Sequence, residues 1–194
     1  MRPTALKLTA AILLFCGISS TVKAQVEPIN VVTTAVPFLR ISPDARSGGM
    51  GDLGVATSPD ASSGLWNIGK VAFNQSKSGL VASYTPWLKQ LVNDVYLASL
   101  TGFVKVGDNQ AFSGSLRYFS LGNIQFTDGL GNDLQTFRPR EFGIDVGYSR
   151  QLTKKNGIGV ALKYINSNLA GGASVGSTTY KTGSAIAADL GYYH

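Results

Sequence analysis

The side chains in this sequence that could do chemistry suit binding rather than catalysis. Arg138 and Arg140, with Lys89 in the neighbouring loop, suit the phosphates of lipopolysaccharide or an acidic protein. Charged loop tips kept in water are the plainer alternative. Asp128-Gly129-Leu130-Gly131-Asn132-Asp133 gathers oxygen ligands, as a calcium loop does. It lacks the spacing of an EF-hand and the terminal Glu, so a solvated turn is the default. Gly49-Met50-Gly51-Asp52-Leu53-Gly54 fits G-x-G-x-x-G. A dinucleotide site would need a strand before it, a helix after it and a carboxylate about 20 positions on. Residues 42–47 make a poor strand, and no carboxylate lies between Asp60 and Asp94. A glycine turn allowing close backbone packing is expected instead. A Ser-His-Asp arrangement has no candidate, because the only histidine is His194. The only cysteine, Cys16, lies in the N-terminal apolar run. A thiolate metal site and a cysteine nucleophile are therefore not expected. The chain is read as no enzyme, with no cofactor and no metal.

The elements that position these groups are alternating segments. Residues 141–152 read E-F-G-I-D-V-G-Y-S-R-Q-L. Phe142, Ile144, Val146 and Tyr148 fall on one side, and Glu141, Gly143, Asp145, Gly147 and Ser149 on the other. A strand sends successive side chains to opposite faces, so one face is apolar and one polar. The pattern recurs from residue 79 onward, in 79–85, 94–106, 110–126, 157–164 and around 186–192. Asn156-Gly157 is a hairpin signal. The long connections, 86–93, 127–140 and 171–181, alternate with the short turns 107–109 and 153–156. Outer-membrane barrels show that rhythm, with short periplasmic turns and longer external loops. Tyr118, Tyr148, Tyr164 and Tyr192 sit near strand ends, where an aromatic girdle belongs. On the polar side, Arg117, Glu141, Asp145, Lys163 and Asp189 are placed to pair across neighbouring strands.

The N-terminus reads as an export signal. Arg2 and Lys7 precede the apolar run 10–18, and Val22-Lys23-Ala24 offers a cleavage site before Gln25. The run is short of the roughly 20 residues that a membrane helix needs. Cleavage there removes three cations and no anion, so the formal charge of +6 halves. What remains is weak support for nucleic-acid binding. The expected organisation is a signal peptide at 1–24, a leader and lumen plug at 25–78, and barrel strands at 79–194. Residues 25–38 are read as irregular, and 39–74 as turns and short helical pieces punctuated by Gly and Pro. The fold class is all-β, an antiparallel transmembrane β-barrel. About six strands are visible, fewer than the eight of the smallest single-chain barrels, so an N-terminal part of a larger barrel is expected.

Several stretches resemble one family. They are A-V-P-F-L-R-I-S-P-D-A-R at 35–46, G-G-M-G-D at 48–52, V-A-T-S-P-D-A at 55–61, S-Y-T-P-W-L at 83–88, L-R-Y-F-S-L-G at 116–122 and T-F-R-P at 136–139. Together they resemble the PorV family, outer-membrane barrels of the type IX secretion system of Bacteroidetes. More distantly, residues 60–73 are similar to the N-terminal segment of FadL-type channels, where W-N-P-A is usual. Here Trp66-Asn67 is followed by Ile68-Gly69. The resemblance implies a 14-stranded FadL-like barrel in the outer membrane, with its N-terminal segment folded into the lumen. It implies binding of the C-terminal signal domain of secreted cargo, and delivery from the translocon to the sortase-like PorU. On that reading the cargo contacts are Trp87, Leu88, Phe137 and Arg138 in the external loops, an exposed Trp-Leu pair suiting an apolar anchor. A headgroup-belt position for Trp87 is the plain alternative. A FadL-like channel for hydrophobic small molecules is the competing function, and the polar inward residues argue against it.

Overall fold

Six alternating segments pair in the order in which the chain makes them. They are β1 (Ser78–Pro86), β2 (Val95–Lys105), β3 (Gln110–Leu121), β6 (Arg140–Gln151), β7 (Gly157–Asn168) and β10 (Gly183–Tyr193). All neighbours are antiparallel, in the order β1-β2-β3-β6-β7-β10. Two further hairpins sit in the long connections: β4 (Ile124–Thr127) with β5 (Asp133–Phe137), and β8 (Ser174–Val175) with β9 (Thr178–Thr179). The computed structural model describes residues 36–127, 129–169, 174–175, 178–179 and 181–194. The expected signal peptide and the leader up to residue 35 lie outside the described residues, as does Asp128. No described helix is long and apolar enough to cross a membrane.

Register sorts the side chains as the alternation predicts. Leu80, Tyr84, Leu100, Val104, Phe112, Leu116, Ile144, Val146, Val160, Leu162, Ile186 and Leu190 are all exposed on one face. Among the described residues of the six strands, the only charged ones pointing that way are Arg140 and Arg150, at the two ends of β6. A contiguous exposed apolar face of this extent marks contact with lipid or protein rather than water. Aromatic rings cross it in two rows. Tyr84, Tyr96 and Tyr118 stack in sequence at 5.1 and 6.1 Å near the long connections, continued by Phe142 and Tyr164 at 6.1 Å. Phe112 and Tyr148, 5.2 Å apart, mark the short-turn end. Phe112 and Tyr118 are six residues apart on β3, which at ~3.3 Å per residue separates the rows by ~20 Å.

The other face is less polar than alternation alone suggests. Residues 36–77 lie across it in short helical pieces: Pro37–Arg40, Ala45–Gly49, Ser63–Trp66 and Ile68–Phe73. Near the long connections, fully buried Phe38 packs with Leu97, Phe119 and Ile165. Near the short turns, Ile68, Val71 and Ala72 pack with Phe103, Ala111 and Ala161. The leader therefore ends before Phe38, which is an anchor of the fold and not part of an irregular tail.

Two turns differ from expectation. β3 stops at Leu121 instead of running to residue 126, because Gly122 takes φ +82° and turns the chain into the β4–β5 hairpin. The polar connection 127–140 is accordingly half of a hairpin, not open loop. Asn156-Gly157 marks a turn but is not its two-residue centre. The turn runs over 152–156, closed by Leu152 N–H donating to the Asn156 carbonyl at 2.8 Å. Gly157 is needed for another reason: a Cβ there would meet the Phe73 ring at 2.4 Å and the Gly69 carbonyl at 2.6 Å.

That close approach belongs to a track. Cβ atoms added at Gly147, Gly159 and Gly191, on three adjacent strands, would each meet Ile68 at 2.4 to 2.9 Å. Glycines let two backbones approach where any side chain would hold them apart. Asn67 locks the turn from the other side. Its Oδ1 accepts from Gly69 N–H at 2.9 Å, and its Nδ2 donates to the Tyr192 carbonyl at 2.9 Å. Ser149 Oγ accepts from Ala72 N–H at 3.2 Å. Ile68-Gly69, where the FadL-type pattern has Pro-Ala, is thus the knob that fits this track. The G-x-G-x-x-G stretch is a turn, as expected: Gly51 and Asp52 adopt φ +75° and +63°, and Gly54 lies flat under the Trp66 ring.

Candidate interaction surface

The inner face holds a charge relay built on register. Ser115, Asp145 and Lys163 are cross-strand neighbours on β3, β6 and β7. Asp145 accepts from Ser115 Oγ at 2.6 Å and lies 3.4 Å from Lys163 Nζ, which also reaches Asp189 at 2.8 Å. Arg117, 3 % exposed, lies 3.8 Å from Asp145 and donates to the Leu39 carbonyl at 3.2 Å. Two cations and two anions thus balance, and one of them also holds residues 36–77 to the sheet. Glu141, also buried, accepts from Ser167 Oγ at 2.6 Å rather than from a cation. The expected cross-strand pairing holds for Arg117, Asp145, Lys163 and Asp189, and Glu141 is satisfied by a hydroxyl.

Lys70 is buried under the loop 54–57. Its ammonium donates to the Gly54 carbonyl and to Thr57 Oγ1, the latter at 3.0 Å. Burial holds its pKa below the ordinary 10.5, against the smaller opposing pull of Asp60. Between the lowered value and 10.5 the unfolded chain binds more protons than the folded one, so this group makes stability rise with pH across that window. As pH rises towards 10.5, the denaturant midpoint of the wild type is expected to rise relative to that of Lys70→Met. Equal slopes would remove the assignment.

The long connections gather at one end of the sheet, and all four residues expected to bind cargo lie there. Trp87 and Leu88 follow β1. Trp87 N–H donates to the Val95 carbonyl at 2.9 Å, and its ring packs edge-on against Phe119, centroids 6.1 Å apart. Leu88 takes φ +51° and is 63 % exposed. A left-handed leucine costs about 1–2 kcal/mol. Its carbonyl accepts from Leu91 and Val92 N–H at 2.7 and 2.9 Å, which fixes the bend. Phe137, half-buried, ends β5 opposite Ile124, and Arg138 is exposed beside it. The two pairs share this end of the sheet but are seated separately, Trp87 on Phe119 and Phe137 across from Ile124.

Asp94 ties the two regions together, a role that sequence reading missed. Its Oδ2 accepts from Asn123 N–H at 2.8 Å and Asn123 Nδ2 at 2.7 Å. Ser120 Oγ donates to its carbonyl at 2.9 Å. A Cβ on Gly122 would meet Asp94 Oδ1 at 2.6 Å. The available sequence signal was Leu121-Gly122-Asn123, a turn tripeptide inside what otherwise reads as one strand. Among the described residues no group of His, Cys, Asp or Glu could hold a metal ion.

A family model described as type IX secretion system protein PorV matches residues 23–194. No curated protein matches the chain.

Proposed function

Since the chain belongs to the PorV family of type IX secretion system proteins, we propose that it is an outer-membrane β-barrel protein that binds the C-terminal signal domain of secreted cargo. On this reading it passes cargo from the translocon to the PorU sortase complex. Residues 79–194 form barrel wall, residues 25–78 a leader and lumen plug, and residues 1–24 an export signal. The observation that carries the reading is the pairing of an uncharged, exposed outer face between two aromatic rows with a polar, covered inner face. That arrangement suits strands with lipid on one side and a lumen on the other. Outer-membrane lipid and lipopolysaccharide would then surround the wall, with Arg140, and Lys89 on its loop, at headgroup height. The competing role, a FadL-like channel for hydrophobic small molecules, requires residues 36–77 to leave the inner face that they now cover.

Trp87, Leu88, Phe137 and Arg138 are the proposed cargo contacts. Truncating a central aromatic anchor typically costs about 2 kcal/mol or more in binding. Trp87→Ala and Leu88→Ala are each expected to weaken binding of a purified cargo C-terminal domain to the detergent-solubilised full chain by at least tenfold. Wild-type affinity in both variants would strike these residues from the site. A deletion strain that loses lipid uptake while secretion stays intact would favour the channel instead.

A further inference from the structure

The short-turn end of the outer face carries cations that the fold itself does not use. Arg150 lies on that face near the end of β6, two residues past Tyr148. The turn that follows, 152–156, adds Lys154 and Lys155. All three are exposed, and among the described residues none of them forms a salt bridge or a side-chain hydrogen bond. The turn is held by its own side chains. Thr153 Oγ1 accepts from Lys155 N–H at 3.2 Å, and from Asn156 N–H and Asn156 Nδ2 at 3.0 Å each. Asn156 Oδ1 accepts from the Tyr192 hydroxyl at 2.6 Å, which ties the turn to β10. The one carboxylate in the neighbouring short turn, Asp108, pairs with none of the three cations.

Depth decides what these groups meet. A strand advances ~3.3 Å per residue, so Arg150 stands ~7 Å beyond the row of Phe112 and Tyr148. Arg140 and Arg150 are ten residues apart on β6. That is ~33 Å along the strand, which a tilt of about 40° reduces to ~25 Å along the membrane normal, the height of the apolar band of an outer-membrane barrel. Both guanidinium groups then stand just outside the hydrocarbon, at the level of the phosphates. We infer that Arg150, Lys154 and Lys155 bind the phosphate of an anionic phospholipid in the leaflet on the short-turn side. A guanidinium takes phosphate oxygens in pairs, and the two ammonium groups add point charges. Cations at a membrane surface draw anionic headgroups. A soluble partner could reach the two turn lysines but not Arg150, whose face the bilayer covers. This site rests on the barrel reading and names the lipid class that one rim of the wall selects.

Lipid binding to the full chain in detergent, read by native mass spectrometry, tests it. Phosphatidylglycerol is expected to bind about tenfold more tightly than phosphatidylcholine with the same acyl chains. In the triple variant Arg150→Gln, Lys154→Gln, Lys155→Gln that preference is expected to vanish, with phosphatidylcholine affinity unchanged. Arg140→Gln, at the opposite rim, is expected to keep it. Equal affinity for the two lipids in the wild type, a preference that the triple variant keeps, or one that Arg140→Gln abolishes overturns the site. Displacement of phosphatidylglycerol by an equal concentration of inorganic phosphate would make this a soluble-anion site and overturns the lipid. A full chain that stays monodisperse in water without detergent overturns the barrel reading beneath it.

Discussion

Asp145→Asn will cost the folded protein about 3–5 kcal/mol, the range seen when one partner of a buried ion pair is removed. The substitution keeps the shape and an acceptor for Ser115. It leaves two cations, Arg117 and Lys163, facing a single carboxylate on Asp189. Arg117 suffers most, because it is almost wholly buried and its Nε has no hydrogen-bond partner. Adding Arg117→Met restores charge balance, since Lys163 and Asp189 still neutralise each other at 2.8 Å. The double variant is therefore expected to be more stable than Asp145→Asn alone. Its remaining deficit reflects the Leu39 carbonyl, which loses its donor. Urea unfolding of the four proteins closes the cycle. Additive losses would show that the two side chains do not interact.

Gly159→Leu gives the second large effect. The added side chain would start 2.9 Å from the Ile68 backbone carbonyl. Backbone cannot yield as a flexible side chain does, so the cost should exceed the about 1–3 kcal/mol usual for overpacking. The sheet has strand pairing of its own and is expected to survive, while the Ile68–Phe73 turn is pushed off it. Limited proteolysis reads this directly: new cleavage is expected within residues 54–77, with β2–β10 protected. Gly114→Leu is the control, because a Cβ there meets nothing closer than 3.7 Å and points to the outer face. Cleavage patterns identical to wild type in Gly159→Leu would mean that the track has no part in docking the turn.

The sheet was legible because period-two alternation is a local signal. Phe142, Ile144, Val146 and Tyr148 announce their face without help from any distant residue. The relay was legible for the same reason: Arg117, Asp145, Lys163 and Asp189 break the small-residue pattern on the polar side. Residues 36–77 gave no comparable signal. Their turns are too short to carry a period, and Phe38 and Ile68 are placed by contacts more than 50 residues away in sequence, with Leu97 and Gly147. The glycines at 147, 159 and 191 were visible as small inward residues, but their purpose appears only once Ile68 lies on them. Trp87 and Leu88 stood out by type. Phe119 beneath Trp87 and the strained backbone of Leu88 did not, since neither a seat nor a dihedral is written in a single residue. The β4–β5 hairpin was missed because Gly122 interrupts a run that otherwise keeps its alternation.

The Asn67 bond to the Tyr192 carbonyl spans 125 residues, and it fixes an order of events in biogenesis. Residues 36–77 leave the ribosome before every strand they rest on. The glycine track is complete only once β10 has joined β7. The Ile68 turn, made before all six strands, is thus among the last pieces to settle. In the interval Ile68, buried in the folded chain, has only part of its seat to pack against.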